Sequence, residues 1–229
     1  MSGVGSVLSK LLLSLNLPKR LQSVSLLLTL ALCMGGFPAL AQERSYMEPF
    51  SVDQGLPHTD VFATVQDNDG FIWIGTSSGL CRYDGVEIRT YDISNSILES
   101  SRISSLYLAG DGLLYIGTEA GGLTLYDTAD DRFVKTVKVP SNCVNSVFSP
   151  DDGDRVYICT NDGLSKLERD DDGYNVTSWS FGAVVLTGCS LSGDEMLVGT
   201  SRGVCRFSES EGLRVVDNGI FATSHLALD

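Results

Sequence analysis

Acidic clusters in front of glycines are the residues of this chain whose types could hold a metal ion. The segment 67–70 reads Asp-Asn-Asp-Gly and resembles the start of a calcium loop. A complete loop continues with oxygen ligands to a bidentate glutamate about twelve positions after the first ligand, whereas a strand pattern begins at Phe71. Asp, Asn and Gly form turns for local reasons. We therefore predict turns here and at 151–153 and 170–173, and no metal site.

Nucleophilic catalysis needs a Ser or Cys close to a His and a carboxylate. The chain has 2 histidines, His58 in a loop region and His225 near the carboxyl end. A glycine-rich phosphate loop is absent from the sequence. The pattern therefore predicts neither a catalytic residue nor a cofactor site.

Two tryptophans, Trp73 and Trp179, have side chains that can stack against a sugar ring. Trp73 lies in the middle of an apolar strand pattern, where packing is the favoured role for an aromatic ring. We expect Trp179, in a later strand, to pack outward. The sequence names no ligand-binding residue.

A repeat of about 40 residues organises these elements. Each copy has a glycine turn, an apolar strand that ends in threonine, and a second glycine three or four residues later. The residues before the four threonines are Gly75, Gly117, Cys159 and Gly199. A fixed period of this length built from short strands is typical of a propeller or a solenoid, because no single unit can bury its own apolar face.

The first copy indicates what one repeat contains. The segments 61–67, 71–76, 80–84 and 86–91 each have a strand pattern, and turn residues separate them. Four antiparallel strands in about 40 residues make one propeller blade. We predict an all-β β-propeller of four-stranded antiparallel blades. A one-sided solenoid is the alternative, and it usually carries fewer strands per repeat.

The second strand of each copy is apolar on both faces. Trp73, Tyr115, Tyr157 and Leu197 alternate with aliphatic residues instead of polar ones. A strand with one solvent face would alternate apolar with polar residues, so this strand is predicted to lie between two neighbouring blades. The glycine before the threonine predicts close approach of another backbone.

The first 41 residues have the pattern of a secretory signal peptide. Lys10, Lys19 and Arg20 precede an apolar run at 24–33, and a small-x-small cleavage site follows at 39–41. The run is shorter than the ~20 apolar residues that a membrane-spanning helix needs, so an uncleaved anchor is the less favoured interpretation. We expect an exported, periplasmic protein.

Charge and cysteine content limit the partners. The formal net charge of −13 repels nucleic-acid phosphates and anionic membrane surfaces, so no nucleic-acid partner is predicted. An odd number of cysteines follows the signal peptide, which leaves at least one thiol unpaired in an exported protein. These cysteines are Cys81, Cys143, Cys159, Cys189 and Cys205. We interpret most of them as small buried hydrophobes and assign no disulfide.

The predicted organisation follows from the repeat. A signal peptide at 1–41 precedes a lead-in at 42–57, which is expected to hold a ring-closing outer strand, and a partial propeller at 58–229. The blades are predicted at about 58–92, 102–139, 143–180 and 183–217, with the start of a next blade at 220–229. Rings contain ~4–8 blades. We therefore predict four blades plus part of a fifth, an incomplete ring, and a chain that is a piece of a longer protein.

Several short motifs occur in a fixed order in the first copy. Gly-Leu-Pro at 55–57 is followed by Gln-Asp at 66–67, Gly-Phe-Ile-Trp-Ile-Gly-Thr at 70–76, Gly-Leu at 79–80 and Arg-Tyr-Asp-Gly at 82–85. This order resembles the regulator-propeller repeat, which occurs in the exported sensor regions of bacterial hybrid two-component systems. The resemblance weakens in the third and fourth copies, where Cys159 and Leu197 replace a glycine and an aromatic residue.

The resemblance implies a sensor that binds an oligosaccharide or another small molecule outside the inner membrane. It also implies a full-length parent with one membrane helix, a cytoplasmic histidine kinase and a phosphorelay, whose sensor regions pair as a homodimer. None of the kinase parts is present, so this chain is predicted not to be an enzyme. Two other classes stay open: a propeller enzyme of lyase or dehydrogenase type, and a non-signalling binding or scaffold propeller.

Overall fold

The computed structural model describes residues 50–170 and 173–217. The chain separates into two units, Met1–Glu48 and Pro49–Asp229, and all described residues belong to the second unit. The predicted signal peptide and the predicted start of a next blade lie outside the described residues. Among the described residues, no helix is both long enough and apolar enough to span a membrane.

The described strands form four antiparallel sheets of four, and the strands of each sheet lie in chain order. Blade one contains β1 (Val61–Gln66), β2 (Ile72–Thr76), β3 (Gly79–Tyr83) and β4 (Ile88–Tyr91). Blade two contains β5 (Ile103–Leu108), β6 (Leu113–Thr118), β7 (Leu123–Asp127) and β8 (Arg132–Val137). Blade three contains β9 (Val144–Phe148), β10 (Arg155–Thr160), β11 (Gly163–Asp170) and β12 (Gly173–Trp179). Blade four contains β13 (Val185–Ser192), β14 (Glu195–Thr200), β15 (Gly203–Ser208) and β16 (Gly212–Asp217).

The four blades pack side by side in chain order. Their first strands contact one another, β1 with β5, β5 with β9 and β9 with β13, so the first strand of each blade is the inner one. This arrangement is an arc of a propeller, and it confirms the predicted all-β fold of four-stranded antiparallel blades. The described residues do not close a ring.

The aromatic residues of the second strands lie between neighbouring blades, as predicted. Trp73 and Tyr157 are 0% exposed and Tyr115 is 3% exposed. Trp73 packs against Tyr126 of blade two, with ring centroids 4.8 Å apart. Leu197 occupies the same position in blade four and is only half-buried, because no described blade follows it. Burial of these side chains therefore depends on the next blade.

Gly75 and Gly117 leave room for a side chain of the next blade. A Cβ atom on Gly75 would lie 2.7 Å from Cγ2 of Ile103, and one on Gly117 would lie 2.6 Å from Cγ1 of Val144. Both distances are shorter than the separation that two side-chain carbon atoms can adopt without a clash. The predicted close approach is therefore present, but a β-branched side chain makes it, not another backbone as predicted.

The lead-in has no strand within residues 50–57. Ser51 caps a 3₁₀ helix at Val52–Gln54 through a capping box, and Gly55 ends the helix with a φ of 103°. Side-chain hydrogen bonds of this kind compete with strand pairing, and an outer strand also needs a partner blade. The ring-closing outer strand predicted here is therefore absent from 50–57, and residues 42–49 lie outside the described part of the chain.

The same lead-in covers the face of blade one that points away from blade two. Leu56 is 6% exposed and packs against Ile74 and Cys81. The ring of Phe50 lies 4.7 Å from the ring of Tyr83, between centroids. Blade one is thus partly covered on the face that points away from blade two.

Two arginines of blade one bind one carboxylate of blade two. Arg82 on β3 and Arg89 on β4 lie directly opposite each other, and both pair with Asp131 in the turn between β7 and β8. The hydroxyl of Tyr126 donates to the same carboxylate. This hydrogen bond, together with the two guanidinium charges, holds the pKa of Asp131 below its ordinary value.

A similar contact joins blade three to blade four. Lys166 on β11 lies three residues after the first glycine of its strand, as Arg82 does on β3. Its Nζ atom is 2.9 Å from Oε2 of Glu209, in the turn between β15 and β16. The hydroxyl of Tyr157 donates to Oε1 of Glu209 at 2.8 Å. In both interfaces a cation on the third strand meets an acid in the last turn of the next blade.

Replacing Gly117 with alanine should destabilise the interface between blades two and three. The added Cβ overpacks Val144, and overpacking a core costs about 1–3 kcal/mol. Urea unfolding measures the change in the free energy of unfolding. The double variant Gly117→Ala/Val144→Ala should lose less than the sum of the two single variants, because it removes the clash. Purely additive losses would contradict the assignment of this contact.

Candidate functional site

The starts of the inner strands and the hairpins between second and third strands lie at one end of the blades. In blades one, two and four, a backbone hydrogen bond ties this hairpin to the residue just before the inner strand, from Ser77 to Asp60 at 3.2 Å, from Glu119 to Arg102 at 3.1 Å and from Ser201 to Val184 at 2.9 Å. We call this end the rim. In a propeller, such an end surrounds one mouth of the central channel.

A threonine at the end of each second strand holds its rim hairpin in place. Its hydroxyl donates to the carbonyl of a glycine at or immediately before the start of the third strand, at 2.8 to 3.0 Å in all four blades. The same hydroxyl accepts a backbone N–H of the hairpin. These threonines are Thr76, Thr118, Thr160 and Thr200, and all are buried. The repeated threonine therefore builds the rim and is not available to a ligand.

A β-bulge interrupts the start of every inner strand. The pairing register between the first and second strands shifts at the same place in all four blades. The residues left out of the pairing are Phe62, Ser104, Asn145 and Leu186. A bulge re-aims a side chain and is common next to binding sites. Each blade therefore places at the rim one residue that takes no part in the pairing of its strands.

Phe62 forms an exposed cluster with two residues of blade two and its preceding loop. The ring of Phe62 is 44% exposed, and the guanidinium carbon of Arg102 lies 4.8 Å from its centroid. Arg102 Nε is 2.9 Å from Oε2 of Glu119, and about half of each side chain is exposed. The cluster combines an aromatic ring, a cation and a carboxylate across the boundary between blades one and two.

The bulged residues of blades two and three bind the next inner strand. The hydroxyl of Ser104 donates to the carbonyl of Val144. Nδ2 of Asn145 donates to the carbonyl of Val185 at 2.8 Å and to Oδ1 of Asn161 at 3.0 Å. The rim is thus continuous from blade one to blade four through the described residues.

The loops that join consecutive blades at the rim differ in length. The segment 92–102 is longer than 138–143 and 180–184. Asp92 accepts hydrogen bonds from the N–H and hydroxyl of Ser94, and these bonds lower the pKa of the Asp92 carboxyl. Ile93 and Ile97 are 61% and 45% exposed. The longest loop therefore presents apolar side chains to solvent.

The chemistry of the rim suits recognition of a small polar molecule. An aromatic face can stack on a flat or ring-shaped ligand, and a few polar groups at the edge can fix its orientation. The described residues contain no group of three or more His, Cys, Asp or Glu side chains that could hold a metal ion.

His58 does not form a catalytic triad. Its Nδ1 atom accepts the backbone N–H of Asp60 at 2.9 Å. The hydroxyl of Ser77 donates to the carboxylate of Asp60 at 3.4 Å, so the serine contacts the acid and not the histidine. In a catalytic triad the serine hydroxyl contacts the histidine, and the acid contacts the other nitrogen of the same ring. His225 lies outside the described residues.

The acidic segment at 67–70 forms the predicted turn. Oδ1 of Asp67 accepts the backbone N–H groups of Asp69 at 3.1 Å and Phe71 at 2.9 Å, and Oδ2 accepts Nε1–H of Trp73 at 2.7 Å. Asp67 is 6% exposed. N–H donors thus occupy the oxygen atoms that a calcium ion would need.

Neither tryptophan is free to stack on a ligand at the rim. Trp73 is 0% exposed, which confirms packing as its role. Trp179 packs against Phe207 of blade four, with ring centroids 5.1 Å apart. The expectation that Trp179 packs outward is therefore wrong, because β12 lies against the neighbouring blade.

The cysteines of the described part of the chain are free thiols. Cys81, Cys159 and Cys205 are buried, which confirms their interpretation as small hydrophobes. Burial raises the pKa of the Cys159 thiol, and a protonated buried thiol is a poor nucleophile. Cys143, at the rim, is half-buried, and burial followed by the charge of Glu119 raises its pKa.

Sequence reasoning missed the rim residues. Phe62 and Asn145 each follow a β-branched residue at the start of an inner strand. Alignment of the four repeats on that β-branched residue identifies the bulged position. Arg102 and Glu119 carry no comparable signal, because they lie in loops that differ between repeats.

The fold is that of a β-propeller built from four-stranded antiparallel blades. Residues 55–78 match the family model of the two-component regulator propeller. This match confirms the resemblance to the regulator-propeller repeat in the first blade. A search of curated proteins finds no match to this chain.

Solved structures with a similar fold include extracellular domains from B. thetaiotaomicron. BT3049, assigned to a hybrid two-component system, aligns with a TM-score of 0.65 and 20% identity over 74% of this chain and 26% of that one. BT4673, assigned to a one-component system, aligns with a TM-score of 0.61 and 23% identity over 74% of this chain and 23% of that one. This chain therefore spans about a quarter of their length.

A third similar structure has a different role. PorZ of Porphyromonas gingivalis, a surface component of the type-IX secretion system, aligns with a TM-score of 0.51 and 16% identity over 66% of this chain and 21% of that one. One fold hosts unrelated functions, so function has to be argued from the rim.

Replacing Asp67 with alanine should lower the free energy of unfolding by about 1–3 kcal/mol, because it leaves the buried Nε1–H of Trp73 without an acceptor. Urea unfolding followed by tryptophan fluorescence measures the loss. Asp69→Ala is the matched control, since the side chain of Asp69 is exposed, and it should change little. A rise in the wild-type midpoint on addition of calcium would contradict the assignment of a simple turn.

Proposed function

We propose that this propeller is an exported, periplasmic ligand-sensing segment of a two-component regulator. Its ligand is a glycan or another small extracytoplasmic molecule that binds at the rim. The four bulged positions, 62, 104, 145 and 186, carry this proposal. They bring one side chain from each blade to the same end of the arc, and none of the four takes part in the pairing of its own strands.

Three further observations support the sensing role. Residues 55–78 match the two-component regulator propeller, and two of the similar structures are described as extracellular domains of signalling systems. The first 41 residues have the pattern of a cleavable export signal. A regulator that samples molecules outside the cytoplasm needs a signalling domain and a signal for export.

The cluster around Phe62 suits a sugar. The ring offers an apolar surface for the C–H face of a pyranose, while Arg102 donates hydrogen bonds and Glu119 accepts them. The carboxylate and guanidinium are paired at 2.9 Å, so each is held in place before a ligand arrives. Groups held in this way lose less conformational entropy on binding.

A ligand that contacts two blades can change how those two blades pack against each other. A ligand on Phe62 and Glu119 stabilises one relative position of blades one and two by its differential affinity for that position. In the full-length parent, we propose, two such sensor regions pair as a homodimer, and the change reaches a histidine kinase through a membrane helix. The chain itself binds and does not catalyse.

Thermal-shift screening against mono- and oligosaccharides tests the proposal. A ligand at 100 times its Kd stabilises the folded state by about 2.7 kcal/mol, so a true ligand raises Tm clearly. Calorimetry then gives its Kd. Phe62→Ala should weaken binding about tenfold, since an aromatic contact contributes about 0.5–1.5 kcal/mol beyond area burial.

Phe50→Ala is the matched control for this variant. Phe50 is 39% exposed, close to the 44% of Phe62, but it packs on Tyr83 at the end of blade one opposite the rim. The control should bind the ligand as the wild type does. No stabiliser in a broad glycan panel, or equal weakening by both variants, would contradict binding at the rim.

A further inference from the structure

We propose that β12, the outer strand of blade three, pairs edge to edge and antiparallel with β12 of a second copy of this chain. β12 is the last strand on its side of the sheet, so one side of its main chain has no partner strand in the blade. This inference goes beyond the sensing role, and it does not depend on ligand binding at the rim.

Every second residue of β12 directs its main-chain groups away from the blade. β12 pairs with β11 without a register shift, and Asp170 lies opposite Gly173 where the two strands meet. Hydrogen-bonded and non-hydrogen-bonded pairs alternate along an antiparallel ladder, and the two residues that close a two-residue hairpin bond to each other. The N–H and C=O groups of Tyr174, Val176 and Ser178 therefore point outward, toward the free edge.

The outer strands of the other three blades carry features that oppose the addition of a strand. Charged side chains, short length and bulges all protect a sheet edge. β4 has 4 residues and includes Arg89, and Nδ2 of Asn95 donates to the carbonyl of Thr90 at 3.0 Å. β8 includes Lys135 and shifts register against β7. β16 includes Arg214 and shifts register against β15.

β12 has none of these protective features. Its sequence, Gly-Tyr-Asn-Val-Thr-Ser-Trp, contains no charged residue and no proline, and its 7 residues make it the longest of the four described outer strands. Aromatic and β-branched residues also favour an extended strand. An exposed edge of this kind is a template for pairing with another chain.

A second copy of β12 complements the first. The antiparallel register that joins the outward main-chain groups places Val176 opposite Val176 of the second copy. In the same register Tyr174 lies opposite Ser178, and Asn175 lies opposite Thr177. Like charges opposite each other destabilise a strand pair, and this register contains no such pair.

The two ends of this register also match. Gly173 of one copy lies opposite Trp179 of the other. A Cβ atom on Gly173 would meet no atom within 4 Å, and Trp179 is only half-buried although it contacts Phe207. An aromatic side chain across from an edge glycine supports a strand pair. Because a two-fold axis repeats each contact, a second copy supplies this match at both ends, which favours it over an unrelated strand.

The expected dimer is weak. Strand pairing alone makes an interface at the small end of the range, and such interfaces belong to transient complexes. The formal net charge of −13 adds repulsion between two copies, and salt screens this repulsion. We therefore expect association in the micromolar range, with tighter association at high than at low salt.

Sedimentation equilibrium of the full chain over a range of concentrations tests the proposal. Thr177→Lys places a charge on the free edge and brings two like charges into diagonal contact across the dimer, so it should weaken association about tenfold. Thr177 is exposed, and circular dichroism checks that the variant is folded. Val215→Lys is the matched control, because Val215 is 54% exposed on the outer strand of blade four, and it should associate as the wild type does.

Hydrogen exchange read by mass spectrometry locates the contact without a substitution. Peptides that cover 173–179 should exchange more slowly at high than at low protein concentration, because pairing protects the outward amides. Peptides that cover 212–217 should exchange equally at both concentrations. Phe62→Ala should associate as the wild type does, which separates this contact from binding at the rim.

A chain that stays monomeric throughout the concentration range overturns the proposal. Association that persists in Thr177→Lys also overturns it. So does association that Val215→Lys abolishes, because blade four then carries the contact.

Discussion

The structure depends on the burial of each second strand between two neighbouring blades. Trp73, Tyr115 and Tyr157 are nearly inaccessible to solvent, yet none is buried by its own sheet alone. Full burial of a large apolar side chain contributes about 1.5–3 kcal/mol, and each interface buries several. The stability of one blade is therefore a property of its interface with the next.

Polar contacts add specificity to this apolar packing. The Asp67 carboxylate fixes both the turn before β2 and the indole of Trp73. Asp131 and Glu209 fix the outer parts of two interfaces. These charges are partly exposed, so each contributes little free energy. Their effect is to define one register between blades that apolar side chains alone would hold less strictly.

The sequence predicted the parts of the fold that repeat. The spacing of Gly75, Gly117 and their equivalents, together with strands that are apolar on both faces, indicated stacked four-stranded blades. It could not predict the packing of Leu56, since a capped 3₁₀ helix and an outer strand begin with the same short apolar pattern. It also missed Phe62 and Arg102, because a bulge arises from the pairing of two strands and a loop contact arises from the arrangement of two blades.

At each inner-strand bulge, a residue that is restricted by packing lies next to a residue that is not restricted by strand pairing. Ile103, Val144 and Val185 precede the bulged residues and are 0% exposed, so packing restricts what can replace them. The neighbouring positions 104, 145 and 186 take no part in the pairing within their own sheets, although Ser104 and Asn145 bind the next inner strand. Under the proposed function, substitution of Phe62, whose side chain makes no hydrogen bond to the next blade, can alter what the rim recognises with little effect on the stack of blades. In the proposed sensing role, a lineage of such propellers can therefore diverge in ligand preference by point mutation at this position, with no new loop.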